Sequence, residues 1–233
     1  MAPGNRLACV ARVQLDPVMT GRFISFEGGE GSGKSTQARL LAERLKHASI
    51  DVLLTREPGG SAFAEQVREF ILSGKQAPHP PLAEALLFYA ARADHLAATI
   101  RPALAAGKWV VADRFSDSTR AYQGAAGGVS KSDIDAIDRI VVGGTIPSLT
   151  LILDLVPEDG LRRAAERRPP GTRTDPYEAR DIDFHRRLRD GFLGIAADEP
   201  DRCVVIEAAG PAAPIAATVW RMVESRLFAR PHP

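Results

Sequence analysis

Phe23-Ile24-Ser25-Phe26-Glu27-Gly28-Gly29-Glu30-Gly31-Ser32-Gly33-Lys34-Ser35-Thr36 decides the fold class of this 233-residue chain. An apolar run stops at a glycine-rich turn, and Ala38, Leu40, Leu41 and Leu45 follow at helical spacing. The turn holds the full G-x-x-x-x-G-K-[ST] pattern. Gly28, Gly31 and Gly33 let the backbone curl so that its N–H groups face phosphate oxygens, and the helix starting near Lys34 adds the positive end of its dipole. Gly29, Glu30, Ser32 and Thr36 complete the nucleotide-binding stretch. Lys34 is expected on the β- and γ-phosphates, and the Ser35 hydroxyl on the Mg²⁺ that bridges them. At average residue usage such a pattern arises by accident in roughly one chain in a hundred of this length. The stretch is therefore read as a nucleoside triphosphate site.

Working outward, short apolar runs at 51–55, 109–113, 149–155 and 203–207 read as further strands. Helical patterns separate them at 61–72, 82–106 (bent at Pro102), 134–142, from Pro157, at 183–197 and at 212–228. The alternation predicts an α/β fold: a five-stranded parallel sheet with helices on both faces, in one domain over residues 21–230. Ligands of such sheets bind beyond the carboxyl ends of the strands. Glu27, Arg56, Asp113 and Arg114 all fall there.

Composition sets bounds on partners and compartment. Hydrophobic residues make up 45%, charged residues 25%, and the formal charge is +1, so no global field calls for nucleic acid or a membrane surface. The two cysteines, Cys9 and Cys203, form no metal-ligand or disulfide pattern, which suits the cytoplasm. Residues 1–20 read as a dispensable, disordered extension, with Met19 as an alternative start; a targeting signal is the weaker reading.

Other residues carry chemistry less specifically. Asp113-Arg114 could serve metal and phosphates, or be a surface ion pair. Arg56 in Thr-Arg-Glu-Pro-Gly-Gly could hold a second anion, or sit in a turn that needs proline and glycine for shape alone. Phe88 and Arg92, four apart on a helix, could stack on a base and donate to its carbonyl edge, or be core and solvated charge. Ser118, Tyr122 and Gln123 could read a base and sugar, or cap and pack a helix. Nine arginines lie between Arg162 and Arg189, interrupted by Pro169-Pro170-Gly171. They suggest a mobile lid at about 162–180 that neutralises charge during transfer, with some of them on a solvated helix face.

Taken together, the segments from Gly21 to Phe228 resemble the thymidylate kinases. Four blocks carry the likeness: Phe-Glu-Gly-Gly-Glu-Gly-Ser-Gly-Lys-Ser-Thr, Thr-Arg-Glu-Pro-Gly-Gly, Leu-Phe-Tyr-Ala-Ala-Arg-Ala-Asp-His and Asp-Arg-Phe-x-x-Ser-x-x-Ala-Tyr-Gln. The resemblance implies ATP-dependent phosphorylation of dTMP to dTDP, with Mg²⁺, in a homodimer. It implies that Arg56 holds the dTMP phosphate, Phe88 stacks on thymine, and Arg92 bonds its carbonyl. Ser118 and Gln123 would line the base pocket, and Tyr122 would crowd the sugar's 2′ position. Glu30 would sit near the 3′-hydroxyl and the metal, and Asp113 and Arg114 would serve metal and phosphates. The Glu57-Pro58 bond is expected to be cis. With no basic residue among Gly29–Ser32, the chain resembles the bacterial group whose lid supplies the catalytic arginine. Arg167 is the best match, with Arg168 and Arg173 behind it. The lid departs from the frequent Asp-Arg-x-Glu pattern, reading Asp175-Pro176-Tyr177-Glu178. The rival readings are another nucleoside monophosphate kinase and a P-loop switch protein. The Phe88/Arg92 pair and Tyr122 argue against the first, and the lack of an Asn-Lys-x-Asp signature against a GTPase switch.

Overall fold

A computed structural model describes residues 21–73, 79–169, 171 and 174–228; the expected extension at 1–20 and Arg173 lie outside the described residues. Five parallel strands form one sheet in the order β2-β3-β1-β4-β5. They are β1 (Phe23–Glu27), β2 (Val52–Arg56), β3 (Trp109–Asp113), β4 (Leu149–Asp154) and β5 (Cys203–Glu207). β1 runs onward to β2 on one side, while β3 crosses to β4 on the other. The crevice therefore opens between the ends of β1 and β3, where Phe26 pairs with Asp113.

Both faces of the sheet are covered, which is why the central strands are apolar in nearly continuous runs. Helices α1 (Lys34–His47) and, near the C-terminus, α9 (Ala212–Val223) pack on Ile24, Phe26, Val111, Leu149, Leu151 and Leu153. On the opposite face lie α2 (Ala62–Leu72), α3 (Pro81–His95), α5 (Ser116–Thr119), α6 (Lys131–Val141) and α8 (Ile182–Asp198). There α3 and α6 pack on Phe23, Val110 and Ala112, and α8 on Ile152. This second face also buries polar residues, with Ser25 Oγ 2.9 Å from Thr150 Oγ1 and Arg202 bridging Thr150 to the Asp117 carboxylate.

Several boundaries differ from the sequence expectation. The helix expected at 82–106 is α3, a π-helical turn at Leu96–Ile100 and α4 (Arg101–Ala105). Pro102 has no N–H to give the turn behind it, and the wider turn accommodates that loss. The helix expected from 134 starts at Lys131, because the Ser130 side chain accepts from Asp133 N. The stretch left open after Arg114 is α5 followed by a π-helix, Arg120–Ala126. Such a helix puts Ser118, Tyr122 and Gln123 within reach of one another.

The helix after β4, α7 (Pro157–Arg167), docks on the phosphate-binding loop through two glycines. A Cβ at Gly31, where φ is +67°, would lie 2.0 Å from Gly160 O, and one at Gly160 would lie 2.3 Å from Glu30 O. The arginine-rich helix is thereby seated against the loop that begins α1.

Candidate active site

One cavity of about 250 Å³ spans the crevice. Gly31, Gly33, Lys34 and Ser35 border one end, Phe88, Arg92, Gln123 and Tyr177 the other, with Arg56, Asp113 and Arg114 between them. Glu30, Ser118, Tyr122 and Arg167 border it as well. Gly28, Gly29, Ser32 and Thr36 do not; they shape the loop from behind. A Cβ at Gly28, where φ is +133°, would meet Leu153 O at 2.5 Å, and Ser32 Oγ donates to Gly29 O at 2.9 Å.

Lys34 is folded onto its own loop, donating to Gly29 O at 2.6 Å and Ser32 Oγ at 3.3 Å. Burial and the neighbouring Arg114 push it down to about 8. Ser35 Oγ donates to Asp113 Oδ2 at 2.5 Å, so a hydroxyl and a carboxylate stand together at the ends of β1 and β3. These hard oxygen donors fit Mg²⁺, which typically takes one or two carboxylates and completes its shell with water and substrate phosphates. Among the described residues no group of three His, Cys, Asp or Glu forms a separate metal cluster.

Arg114 joins the two halves of the site. It has a left-handed backbone, with φ of 73°, rare for a residue bearing a Cβ. Its side chain donates to Gly28 O, Ser118 Oγ, Glu30 Oε1 and Tyr122 Oη at 2.8–3.2 Å. Burial opposes the charge of Glu30, but Arg114, Lys34 and the Tyr122 hydroxyl hold its carboxyl down to about 2. Beneath them Glu27 is fully buried and accepts from Phe115 N at 2.7 Å and Ser118 Oγ at 2.6 Å. Burial, and after it the charge of Asp117, raise Glu27 to about 8.

At the far end, Phe88 is half-buried at the cavity wall rather than in the core, its ring 6.3 Å from that of Tyr177. Arg92 is 2% exposed. Its Nε donates to Glu57 Oε2 at 2.7 Å, and its Nη2 to Phe115 O and Thr119 Oγ1. Nη1 is buried without a hydrogen-bond partner. Gln123 Nε2 donates to Tyr177 Oη at 3.2 Å, and Tyr177 Oη donates to Glu84 Oε2 at 3.2 Å. Arg56 is half-exposed and held by Glu65 through Nη2. The Glu57-Pro58 bond is cis, as the resemblance implied.

The arginines after β4 separate by partner. Arg162 pairs with Asp159 and Glu166, Arg168 with Glu178, Arg186 with Glu158 and Asp183, and Arg189 with Asp154. Arg163 donates to Ala208 O and Ala209 O beyond β5. Arg167 makes no ion pair among the described residues and borders the cavity; Arg168 does not border it.

The cavity is also bordered by Glu57, Arg68, Asp175 and Tyr177, to which the sequence assigned no role. Glu57 lies inside a quoted block, and Asp175 and Tyr177 inside the departure from the Asp-Arg-x-Glu pattern. Arg68, on α2, gave no signal, because a helix-surface arginine looks alike whether it faces solvent or a cavity.

The thymidylate kinase family model matches residues 26–218. The chain is 53% identical over 211 residues to a thymidylate kinase of Bradyrhizobium diazoefficiens, covering 91% of this chain and 92% of that protein. The chain belongs to the thymidylate kinase family. A thymidylate kinase of Caulobacter vibrioides is 54% identical over 207 residues, covering 89% of this chain and 98% of its own length. The crystal structure of a thymidylate kinase from Ehrlichia chaffeensis superposes with a TM-score of 0.70 at 36% identity, covering 87% of this chain and 98% of that one. The activity is that of a thymidylate kinase: phosphorylation of dTMP to dTDP using ATP.

Proposed function

We propose that the cavity holds dTMP and the ATP phosphates end to end, with the residues bordering it in the following roles. The observation that carries this reading is Arg92: a buried guanidinium whose Nη1 alone lacks a partner, in the same cavity as the phosphate-binding loop. A buried donor left unmet is costly, and a base carbonyl meets it. Phe88 offers the ring face for thymine, with Ser118 and Gln123 beside it, and Arg56 holds the dTMP phosphate. Glu30 takes the 3′-hydroxyl, and the Tyr122 ring leaves no room for a 2′-hydroxyl.

Lys34 exchanges the Gly29 carbonyl for the β- and γ-phosphates, and the loop N–H groups take the remaining oxygens. Ser35 and Asp113 would hold Mg²⁺, directly or through water. When bound, the ion would supply neutralisation of phosphate charge during transfer. The acceptor phosphate is already largely dianionic at neutral pH, its second pKa being about 6, so no general base is required. Catalysis is alignment of two phosphates plus charge stabilisation by Lys34, Arg114 and, from the lid, Arg167.

The protein works in the cytoplasm as a homodimer. Phe63, Leu82, Leu86 and Ile140 are exposed on α2, α3 and α6, which pack side by side, and a second copy would cover them. The test of the acceptor site is steady-state kinetics of Arg56→Ala and Phe88→Ala. Each is expected to raise KM for dTMP about tenfold or more with KM for ATP nearly unchanged. Unchanged dTMP dependence in both would remove the assignment.

A further inference from the structure

The turn from Thr55 to Gly60 is stapled to α3 and the π-helical turn behind it by buried polar groups that the reaction itself does not use. Glu57 is 6% exposed and accepts on both oxygens: Oε2 from Arg92 Nε at 2.7 Å, and Oε1 from His95 Nδ1 at 3.0 Å. With Nδ1 donating, His95 Nε2 is left to accept from Thr55 Oγ1, 2.8 Å away. Thr99 Oγ1 donates to Gly60 O at 2.8 Å. Gly60 itself lies so close to the imidazole that a Cβ there would sit 2.3 Å from His95 Nε2. The segment bearing Arg56 is therefore joined by three hydrogen bonds to the helix bearing Phe88 and Arg92, and by a fourth to the π-helical turn that follows it.

A guanidinium has five N–H donors in a fixed fork. In Arg92 the Nε hydrogen goes to Glu57 and the two on Nη2 go to Phe115 O and Thr119 Oγ1, so only Nη1 remains. The Tyr89 ring lies 4.8 Å and the Phe115 ring 5.3 Å from Arg92 Cζ, which confines the group further. Glu57 is also covalently next to Arg56.

We propose that Glu57 is a specificity-positioning residue: its carboxylate orients Arg92 so that Nη1, with its two hydrogens, is the nitrogen left to read the acceptor base. Through the adjoining Arg56 it also fixes the span between base and phosphate recognition. This rests on the acceptor-site reading above and deepens it. A base bearing a carbonyl at that edge accepts from Nη1, whereas an amino group there presents a donor to a donor. Discrimination between dTMP and dCMP thus depends on Glu57 through the donor it sets on Arg92.

The experiment measures kcat/KM for dTMP and for dCMP, and KM for ATP, in the full-length enzyme and in Glu57 variants, with circular dichroism as the check on folding. Glu57→Ala is expected to lower the dTMP:dCMP ratio about tenfold or more, with KM for ATP within about twofold. Glu57→Gln should restore most of the ratio. Its amide oxygen can accept from Arg92 Nε, while its NH₂ meets a His95 that has changed tautomer and donates to Thr55. Glu57→Asp keeps the charge but withdraws it by one methylene, and should lose the ratio; it carries the test if the alanine variant does not fold. In an Arg92→Met background, replacing Glu57 should change the ratio no further. An undiminished ratio in Glu57→Ala or Glu57→Asp, rescue by Asp but not Gln, or an equal loss in the Arg92→Met background would each overturn the proposal. A wild-type enzyme with no preference for dTMP would instead remove the acceptor-site reading beneath it.

Discussion

Replacing Glu27 with glutamine should leave stability nearly unchanged in mild acid and raise it progressively as the pH rises. Glu27 has no exposed surface, and burial raises it from 4.5 to about 8 with help from Asp117. Between those values the folded chain keeps a proton that the unfolded chain has released. Stability therefore falls as pH increases through that window and levels off above it. Each pH unit in the window corresponds to about a tenfold change in the folding equilibrium, so the full span is worth roughly three powers of ten. Glutamine is the neutral isostere of the protonated acid: its oxygen can accept from Phe115 N as Glu27 Oε1 does, and its NH₂ can donate to Ser118 Oγ, reversing the present bond in which that hydroxyl donates to Glu27. The assay is urea denaturation of both proteins from pH 4 to 8.5, which starts below the unfolded value of 4.5. Titrating groups remote from Glu27, common to both, cancel in the difference. The difference should be near zero at the acid end and grow in favour of the variant. Parallel curves, or a wild type that gains on the variant with pH, would refute the reasoning, since a carboxylate stabilised as an anion behaves in the opposite sense.

Two further outcomes follow from the site. Arg167→Ala should cut kcat by up to about a thousandfold with little change in KM for dTMP, whereas Arg168→Ala, whose side chain is engaged with Glu178, should cost far less; reversed effects in single-turnover assays would move the role to Arg168. Ser35→Ala should weaken the response to Mg²⁺, seen as a rightward shift in a metal titration after EDTA treatment, because it removes one of the two oxygen donors at the strand ends.

The parts of this protein legible in the sequence are those whose chemistry is contiguous. The phosphate-binding loop needs glycines, a lysine and a hydroxyl within one short stretch, and the five strands announce themselves as apolar runs. What stayed hidden depends on contacts between distant segments. Arg92 could be core ballast or a base reader until Glu57, 35 residues away, is seen to take its Nε. The arginines after β4 look interchangeable along the chain, and their surroundings separate them: acids hold Arg162, Arg168, Arg186 and Arg189, carbonyls hold Arg163, and Arg167 borders the cavity. Tyr177 sits in the segment that reads Asp175-Pro176-Tyr177-Glu178 in place of Asp-Arg-x-Glu, so no motif marked it. Its hydroxyl nonetheless meets Gln123 and Glu84 beside the cavity that Gln123 and Phe88 border. Gly160 belongs to no motif in the sequence, yet its missing side chain is what lets α7 rest against the phosphate-binding loop.

The most direct test of the central claim is nucleotide-coupled ADP release with ATP and Mg²⁺, offering dTMP, dUMP, dCMP, dGMP and AMP in parallel. The account predicts strong preference for dTMP, with dCMP, dGMP and AMP far behind. Comparable turnover of a purine monophosphate, or ATP hydrolysis indifferent to any acceptor, would contradict it.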